Sequence, residues 1–323
     1  MFINSTKLLL SNTMMIGVIM TICSNNWISM WMGLEITLMS FIPLMQTNKS
    51  MSAESMIKYF IIQSVASTLM LMMVLIMLIG VSMMNEMLLM ISMLIKVGSA
   101  PFHNWVLMII ETLSYNQMWT MLTIIKIPPL LILYQININF LMMPIVIGMI
   151  ISSLSCLNQT SLRKTLGYSS IYNISLMLIT INKFYILMIF MSIYSIMLIM
   201  FVKITNSMKI SFINQLIFNE KMTFTKINLW INMLSMGGFP PMMGFINKLL
   251  VIQLLFVNKN IMLVMLIILT SMLVMLFYMR LAFTSMMTNT MSMKWSKNSK
   301  SYLFVMIFNL ASFPVLISMT SIT

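Results

Sequence analysis

Between Met87 and Ile110 the chain is apolar over a length that, as a helix rising 1.5 Å per residue, crosses the hydrocarbon core of a bilayer. Inside that run stand Lys96, Gly98, Pro101 and the single histidine of the protein, His103. Pro101 removes a backbone donor and clashes with the preceding turn, so a helix is expected to break there. Lipid cannot satisfy the carbonyls that such a break frees, so it must lie against protein or a wet cavity. A lysine within two turns of the break is costly in hydrocarbon and marks a functional site by default. The stretch therefore reads as a polar, internal interruption of a membrane span.

The rest of the chain agrees. Of its 323 residues 60% are hydrophobic and 7% charged, with mean hydropathy +1.01. No soluble domain buries that much apolar surface, so the fold class is an all-α polytopic membrane protein. Hydropathy and breakers predict about eleven spans, near 4–23, 27–46, 57–79, 85–110, 115–135, 141–158, 166–181, 184–205, 226–255, 260–284 and 302–321. The connection over 206–226 carries a short amphipathic or irregular piece, and no soluble domain is expected. Most cations, Lys7, Lys58, Arg163 and Lys164 among them, fall on the face that holds the N-terminus, against Lys183 and Lys259 opposite. The positive-inside rule makes the first face cytoplasm-equivalent.

Several function classes drop out. The net charge of +13 is scattered over loops and mid-span sites without a basic, aromatic-interleaved patch, which excludes nucleic acid as a partner. Cys23 and Cys156 lack metal-ligand spacing and are expected to stay unpaired. With one histidine and no cysteine cluster, no metal, haem or iron–sulfur site and no bound cofactor is expected in this chain. Phosphate-binding loops, dinucleotide fingerprints and Ser/His/Asp sets are absent from the sequence. The N-terminal run reads as a retained first span rather than a cleaved signal. The 47 methionines read as codon bias from an AT-rich genome before they read as soft packing.

A second interruption, Gly237-Gly238-Phe239-Pro240-Pro241, precedes Gly244 and Lys248 in the ninth span. Counting spans one to five (1–136) as one unit and six to ten (141–284) as another makes each break the fourth helix of its unit. A five-helix unit reverses the side of entry, so the repeats are inverted, with 302–321 outside them. Interrupted helices at matching positions of inverted halves point to a transport site near the midplane.

Four ionisable residues lie at mid-span: Glu35, Lys96, Lys126 and Lys248. Glu35 is roughly 12 Å below the surface by helical rise. A lysine held between desolvation and pairing with a carboxylate gains or loses a proton as its partner moves, which is what a proton relay requires. The alternative is a static buried ion pair that fixes helix packing. Three lysines for one carboxylate sit awkwardly with a purely structural account. His103 either links Lys96 to Lys126 or is a neutral group satisfying carbonyls at the Pro101 break. Tyr168, Ser169 and Ser170 either line a wet path or cap the start of the seventh span.

These stretches match a known family. Trp31-Met32-Gly33-Leu34-Glu35, Lys58-Tyr59-Phe60 with Gln63-Ser64, Lys96 through Trp105, Leu157 through Lys164, Gly167-Tyr168-Ser169-Ser170, and Gly237 through Pro241 with Gly244-Phe245 and Lys248 follow in order. Over about residues 25–285 the chain resembles the antiporter-like membrane subunits of respiratory complex I, NADH:ubiquinone oxidoreductase. The resemblance implies proton translocation driven by electron transfer elsewhere in the complex. Glu35 then matches the glutamate that pairs with the lysine of the first broken helix, Lys96. Lys126 matches the central lysine, and Lys248 the lysine of the second broken helix. It further implies NADH, FMN, iron–sulfur clusters and ubiquinone in other subunits. Implied partners are the other membrane-arm subunits, antiporter-like paralogues included, and inner-membrane phospholipids. The implied location is the mitochondrial inner membrane, N-terminus in the matrix and C-terminus in the intermembrane space. Eleven spans resemble the animal mitochondrial form, which lacks three initial helices of the bacterial one. Two rivals remain: a stand-alone cation/proton antiporter, and a scaffold that pumps nothing. Leu107 and Met108 depart from the family's proline and acidic or amide residue, and Ile125 from its glutamine.

Overall fold

Backbone groups in hydrocarbon must be paired within their own segment, and the apolar runs fold as helices. The structure is a computed structural model and describes residues 5–47, 50–80, 83–136, 141–217, 223–286 and 307–309. It divides into two compact units, Met1–Gly148 and Met149–Thr323. The first holds α1 (Ser5–Cys23), α2 (Trp27–Leu44), α3 (Ser50–Ile79), α4 (Met83–Val97), α5 (Asn104–Thr112), α6 (Tyr115–Leu122) and α7 (Ile127–Gln135). The chain passes along α8 (Met142–Leu157) into the second unit. There it forms α9 (Leu162–Ile179), α10 (Phe184–Met208), α11 (Asn214–Ile217), α12 (Thr223–Gly237), α13 (Met243–Val257) and α14 (Ile261–Met286). Among the described residues there is no sheet, only an isolated antiparallel bridge between Ser161 and Phe212.

Among the described residues, six helical segments are long and apolar enough to cross a membrane: 5–23, 27–44, 50–79, 115–135, 184–208 and 261–285. The protein is thus an all-α, multi-pass membrane protein. Breaks split the segments expected at 85–110 and 226–255 into pieces too short to count alone. The expected span 302–321 lies outside the described residues except for helical 307–309. The polarity is inside-out: Leu269 and Leu276 of α14 are 67% and 63% exposed, whereas Lys96 is 4% exposed. So large an exposed apolar area is stable only against lipid or partner protein.

Within the first unit α1 lies along α2, α3 packs on α4 and α5, and α7 touches α1 and α4. Two small-residue pairs set the first contact. A Cβ on Gly33 would fall 2.5 Å from Thr21 Cγ2 and 2.9 Å from the Gly17 carbonyl, and one on Gly17 would fall 2.8 Å from Thr37 Cγ2. Thr21 and Thr37 return their hydroxyls to Val18 and Leu34 of their own helices, each at 2.7 Å, and present methyl groups to the interface. This is close small-residue packing of the membrane type. In the second unit α12 packs on α14, α10 on α12 and α13, and α9 beside α10 and α13. Helix α9 is buried over most of its length although it carries Thr165, Ser169, Ser170, Tyr172 and Ser175. It begins at Leu162 behind Ser161, so Tyr168–Ser170 lie well inside the helix and do not cap it. Both cysteines are free thiols.

Candidate functional site

The first break falls earlier than the proline predicts. α4 ends at Val97 and Gly98 takes φ +73, a left-handed conformation that glycine adopts without a Cβ penalty. The Gly98 amide donates to Ile95 O at 3.2 Å and the Ser99 amide to Leu94 O at 3.2 Å, which is a Schellman closure. Pro101 and His103 fill the connection before α5, and His103 Nδ1 lies 3.2 Å from the Pro101 carbonyl. His103 is 8% exposed.

Lys96 sits one residue before the end of α4. The negative pole of a helix C-terminus favours a cation there. Glu35 on α2 is half-buried and close enough to act electrostatically on both Lys96 and Tyr59. Around them the neighbouring helices supply donors. Gln63 Nε2 of α3 donates to Lys96 O at 3.3 Å, and Trp105 Nε1 of α5 donates to Ile95 O at 3.2 Å. Tyr59, one turn before Gln63, stacks edge-on against Phe41 at 5.3 Å and tilted against Trp105 at 6.0 Å. By contrast, the ion pair Lys58–Glu54, 2.5 Å, is exposed on α3 and contributes little.

The segment expected as one helix over 115–135 is also interrupted. α6 stops at Leu122, and Thr123 leaves the helical region at φ −121, ψ −72. A 3₁₀ turn, Ile124–Lys126, follows before α7. Pro128 and Pro129 in the first turn of α7 have no N–H for the carbonyls of Ile124 and Ile125. The Ile127 amide takes Ile124 O instead, and Lys126 N donates to Thr123 O at 3.2 Å. Lys126, 4% exposed, therefore stands in a helix break.

The second expected break closes its helix in the same way as the first. α12 ends at Gly237 and Gly238 takes φ +70. The Gly238 amide donates to Ser235 O at 3.0 Å and the Phe239 amide to Leu234 O at 3.1 Å, the same Schellman closure. Pro240 and Pro241 occupy the connection to α13. Placing Gly238 on Gly98 shifts numbers by 238 − 98 = 140, so Lys96 corresponds to Met236 and Lys248 to Met108. The two lysines thus lie on opposite sides of equivalent breaks. Lys248 Nζ reaches back to donate to Gly237 O at 2.7 Å, a direct cap on the helix end. Gly244 makes that approach feasible, since a Cβ there would lie 1.8 Å from Ser235 O.

A small cavity opens beside Lys248, lined by Ser169, Tyr172 and Asn173 of α9, Asn247 of α13 and Met236 of α12. Asn247 Oδ1 is buried without a hydrogen bond within the protein. Ser169 is thus on the cavity wall, its hydroxyl returned to Leu166 O at 3.0 Å.

Each lysine singled out from the sequence is therefore buried at or against a helix break, and Glu35 is grouped with Lys96. Sequence reasoning assigned no chemical part to Gln63 or Asn247. Pro128-Pro129 was the available signal for the third break. Among the described residues, no group of three His, Cys, Asp or Glu side chains is placed to hold a metal ion.

A sequence profile described as NADH:quinone oxidoreductase/Mrp antiporter, transmembrane, matches residues 24–274. A protein of Anopheles gambiae called NADH-ubiquinone oxidoreductase chain 2 is 36% identical, over 95% of this chain and 94% of its own. In fold, a chain of respiratory complex I from Thermus thermophilus superposes with TM-score 0.76 at 18% identity, covering 98% of this chain and 78% of its own. A chain of an archaeal membrane-bound sulfane sulfur reductase gives TM-score 0.82 at 16% identity, covering 97% and 72%. With profile, relative and fold in agreement, the chain belongs to the NADH:quinone oxidoreductase/Mrp antiporter family, as an antiporter-like membrane subunit.

Proposed function

We propose that this chain is a proton-translocating core membrane subunit of NADH:ubiquinone oxidoreductase and that protonation changes at Glu35, Lys96, Lys126 and Lys248 carry the protons. One observation carries the reading: three lysines are buried in apolar helices, Lys96 and Lys126 at helix breaks and Lys248 with its ammonium on the end of a broken helix. An intramembrane cation is expensive unless it serves transport. Carbonyls at a helix break offer an ammonium a partner that it can leave, which a continuous helix does not. At Lys248 the unpaired Oδ1 of Asn247 borders a cavity. Buried polar atoms in native proteins pair with protein or with water, so this is where water meets the lysine.

The same reading takes His103 as the link beyond Lys96, adjacent as it is to the Pro101 carbonyl. It takes the chain as about eleven spans in two inverted five-helix repeats, 1–136 and 141–284, with 302–321 as an extra helix. The matching Schellman closures at Gly98 and Gly238 support the repeat. Electron transfer is assigned to NADH, FMN, iron–sulfur clusters and ubiquinone held by other subunits. The partners are membrane-arm subunits and phospholipids. The place is the mitochondrial inner membrane, with the N-terminus in the matrix and the C-terminus in the intermembrane space. The name of the Anopheles relative supports the assignment to this complex.

Native electrophoresis of mildly solubilised membranes, with an in-gel NADH dehydrogenase stain and peptide identification, tests the assembly. The chain is expected in the large stained band. Migration alone or with a few small membrane proteins would instead favour a stand-alone cation/proton antiporter.

A further inference from the structure

Asparagine amides lie buried on the approach to the second break. Asn228 and Asn232 of α12 are 0% exposed and Asn247 of α13 is 2% exposed. Among the described residues, both amide atoms of Asn228, Nδ2 of Asn232 and Oδ1 of Asn247 have no hydrogen bond. On α12 the polar residues keep to one side. Thr225, Asn228, Asn232 and Ser235 recur every third or fourth residue, which places them within about 100° of one another at 3.6 residues per turn. The other residues from Ile227 to Leu234 are apolar. Ser235 Oγ donates to Asn232 O at 2.8 Å and lies 3.2 Å from Asn232 Oδ1. One turn beyond Asn232 the same side of the helix carries Met236, on the wall of the cavity that Asn247 and Lys248 also line. That cavity leaves water centres about 10 Å³, room for about one molecule.

A bare amide inside an apolar helix costs stability, and asparagine is a poor helix former. The structural use of such residues is hydrogen bonding between helices, but the unpaired atoms make no such bond. Buried polar atoms without protein partners take water. Neighbours three or four apart on a helix have Cβ atoms roughly 5–6 Å apart. One water spans that gap with two hydrogen bonds of about 2.8 Å. Subtracting 140 gives Leu88, Ser92 and Ile95 as the equivalents of Asn228, Asn232 and Ser235 on α4, with no amide among them. The stripe belongs to the second break and not to the first.

We infer that this side of α12 carries a single file of water from the membrane face where α12 begins, the matrix side in the proposed orientation, to the cavity at Lys248. Asn228 and Asn232 hold the file, and Asn247 fixes its last water beside the ammonium. The inference rests on the relay reading above and gives it a route by which protons reach Lys248 from one side of the membrane. Lys248 Nζ donates to Gly237 O at 2.7 Å. An ammonium has three hydrogens, so the others are left for the water in the cavity.

The test uses the assembled complex and reads protons pumped per electron at matched NADH oxidation. Asn228→Leu and Asn232→Leu close the stripe with apolar carbon. Each is expected to lower the ratio to that of Lys248→Gln. The amount of complex should stay at or above the wild-type level, because leucine removes a bare amide from an apolar helix. Asn232→Ser keeps a polar atom, makes room for water and is expected to hold most of the wild-type ratio. In a Lys248→Gln background the leucine variants are expected to lower the ratio no further, because residues that act through one group are non-additive. A wild-type ratio in both leucine variants, with Lys248→Gln impaired, overturns the path and leaves the relay standing. A fall that serine does not rescue, and that persists in full in the Lys248→Gln background, is a packing effect and also overturns it. A wild-type ratio in Lys248→Gln removes the relay reading and the path together. If the leucine variants fail to assemble, an experimental structure of the wild-type complex that resolves water decides the matter. Ordered water bonded to the Asn228 and Asn232 amides is expected there, and amides paired with protein groups alone overturn the path.

Discussion

Lys248→Met is expected to abolish the proton pumping carried by this subunit and to weaken the second unit of the fold as well. The ammonium donates to Gly237 O at 2.7 Å, and methionine leaves that carbonyl buried and bare. A buried polar group stripped of its partner costs about 1–3 kcal/mol. The two losses separate with Lys248→Gln. An amide still donates a hydrogen bond but does not exchange a proton near neutral pH. Lys248→Gln is therefore expected to restore much of the assembled complex seen with wild type, while pumping stays as low as in Lys248→Met. Recovery of pumping in Lys248→Gln would show that capping, and not titration, is what the lysine contributes.

Gly244→Ala is expected to be the most damaging of the small substitutions. Its Cβ would lie 1.8 Å from Ser235 O, 3.0 Å from Ser235 C and 3.4 Å from Gly238 Cα, all backbone atoms. Relief requires α12 and α13 to separate by roughly 1 Å or more, which also lengthens the Lys248 contact. Overpacking of this kind typically costs about 1–3 kcal/mol and more where backbone must move. At Gly237 the nearest atom to a new Cβ is the Tyr278 Cβ at 3.0 Å, a contact that a helix shift of a few tenths of an ångström eases. The amount of assembled complex should therefore fall far more in Gly244→Ala than in Gly237→Ala. The reverse ranking would mean that the helices do not approach at Gly244.

Much of this arrangement is legible in the chain because the membrane restricts the choices. Lys96, Lys126 and Lys248 stand out as charges in apolar runs, and all three are buried at or against breaks. Pro101 signals an interruption, but the helix ends sooner, at Val97, because Gly98 supplies the left-handed closure that Pro101 cannot. The 3₁₀ turn before α7 escapes the sequence for a different reason. Hydropathy is continuous through 115–135, and the break comes from two absent amide donors at Pro128 and Pro129, which apolarity does not register. Tyr168–Ser170 look like a helix start because they open an apolar span just after Arg163 and Lys164, yet the helix begins behind Ser161 and Ser169 ends on a cavity wall. Gln63 to Lys96 O and Lys248 to Gly237 O join positions 33 and 11 residues apart. Such contacts depend on how helices pack, which no local pattern encodes.

If buried lysines at helix breaks carry the protons, Lys96→Met is the variant that must show it. Lys96 is 4% exposed, lies within the influence of Glu35, and has its helix end capped by other residues. Methionine there removes the titrating amine without uncapping a carbonyl. The quantity to measure is the number of protons pumped per electron by the assembled complex during NADH oxidation. A lowered ratio, with the complex present in normal amount, is the predicted result. An unchanged ratio would contradict the relay and leave this chain as a scaffold for the subunits around it.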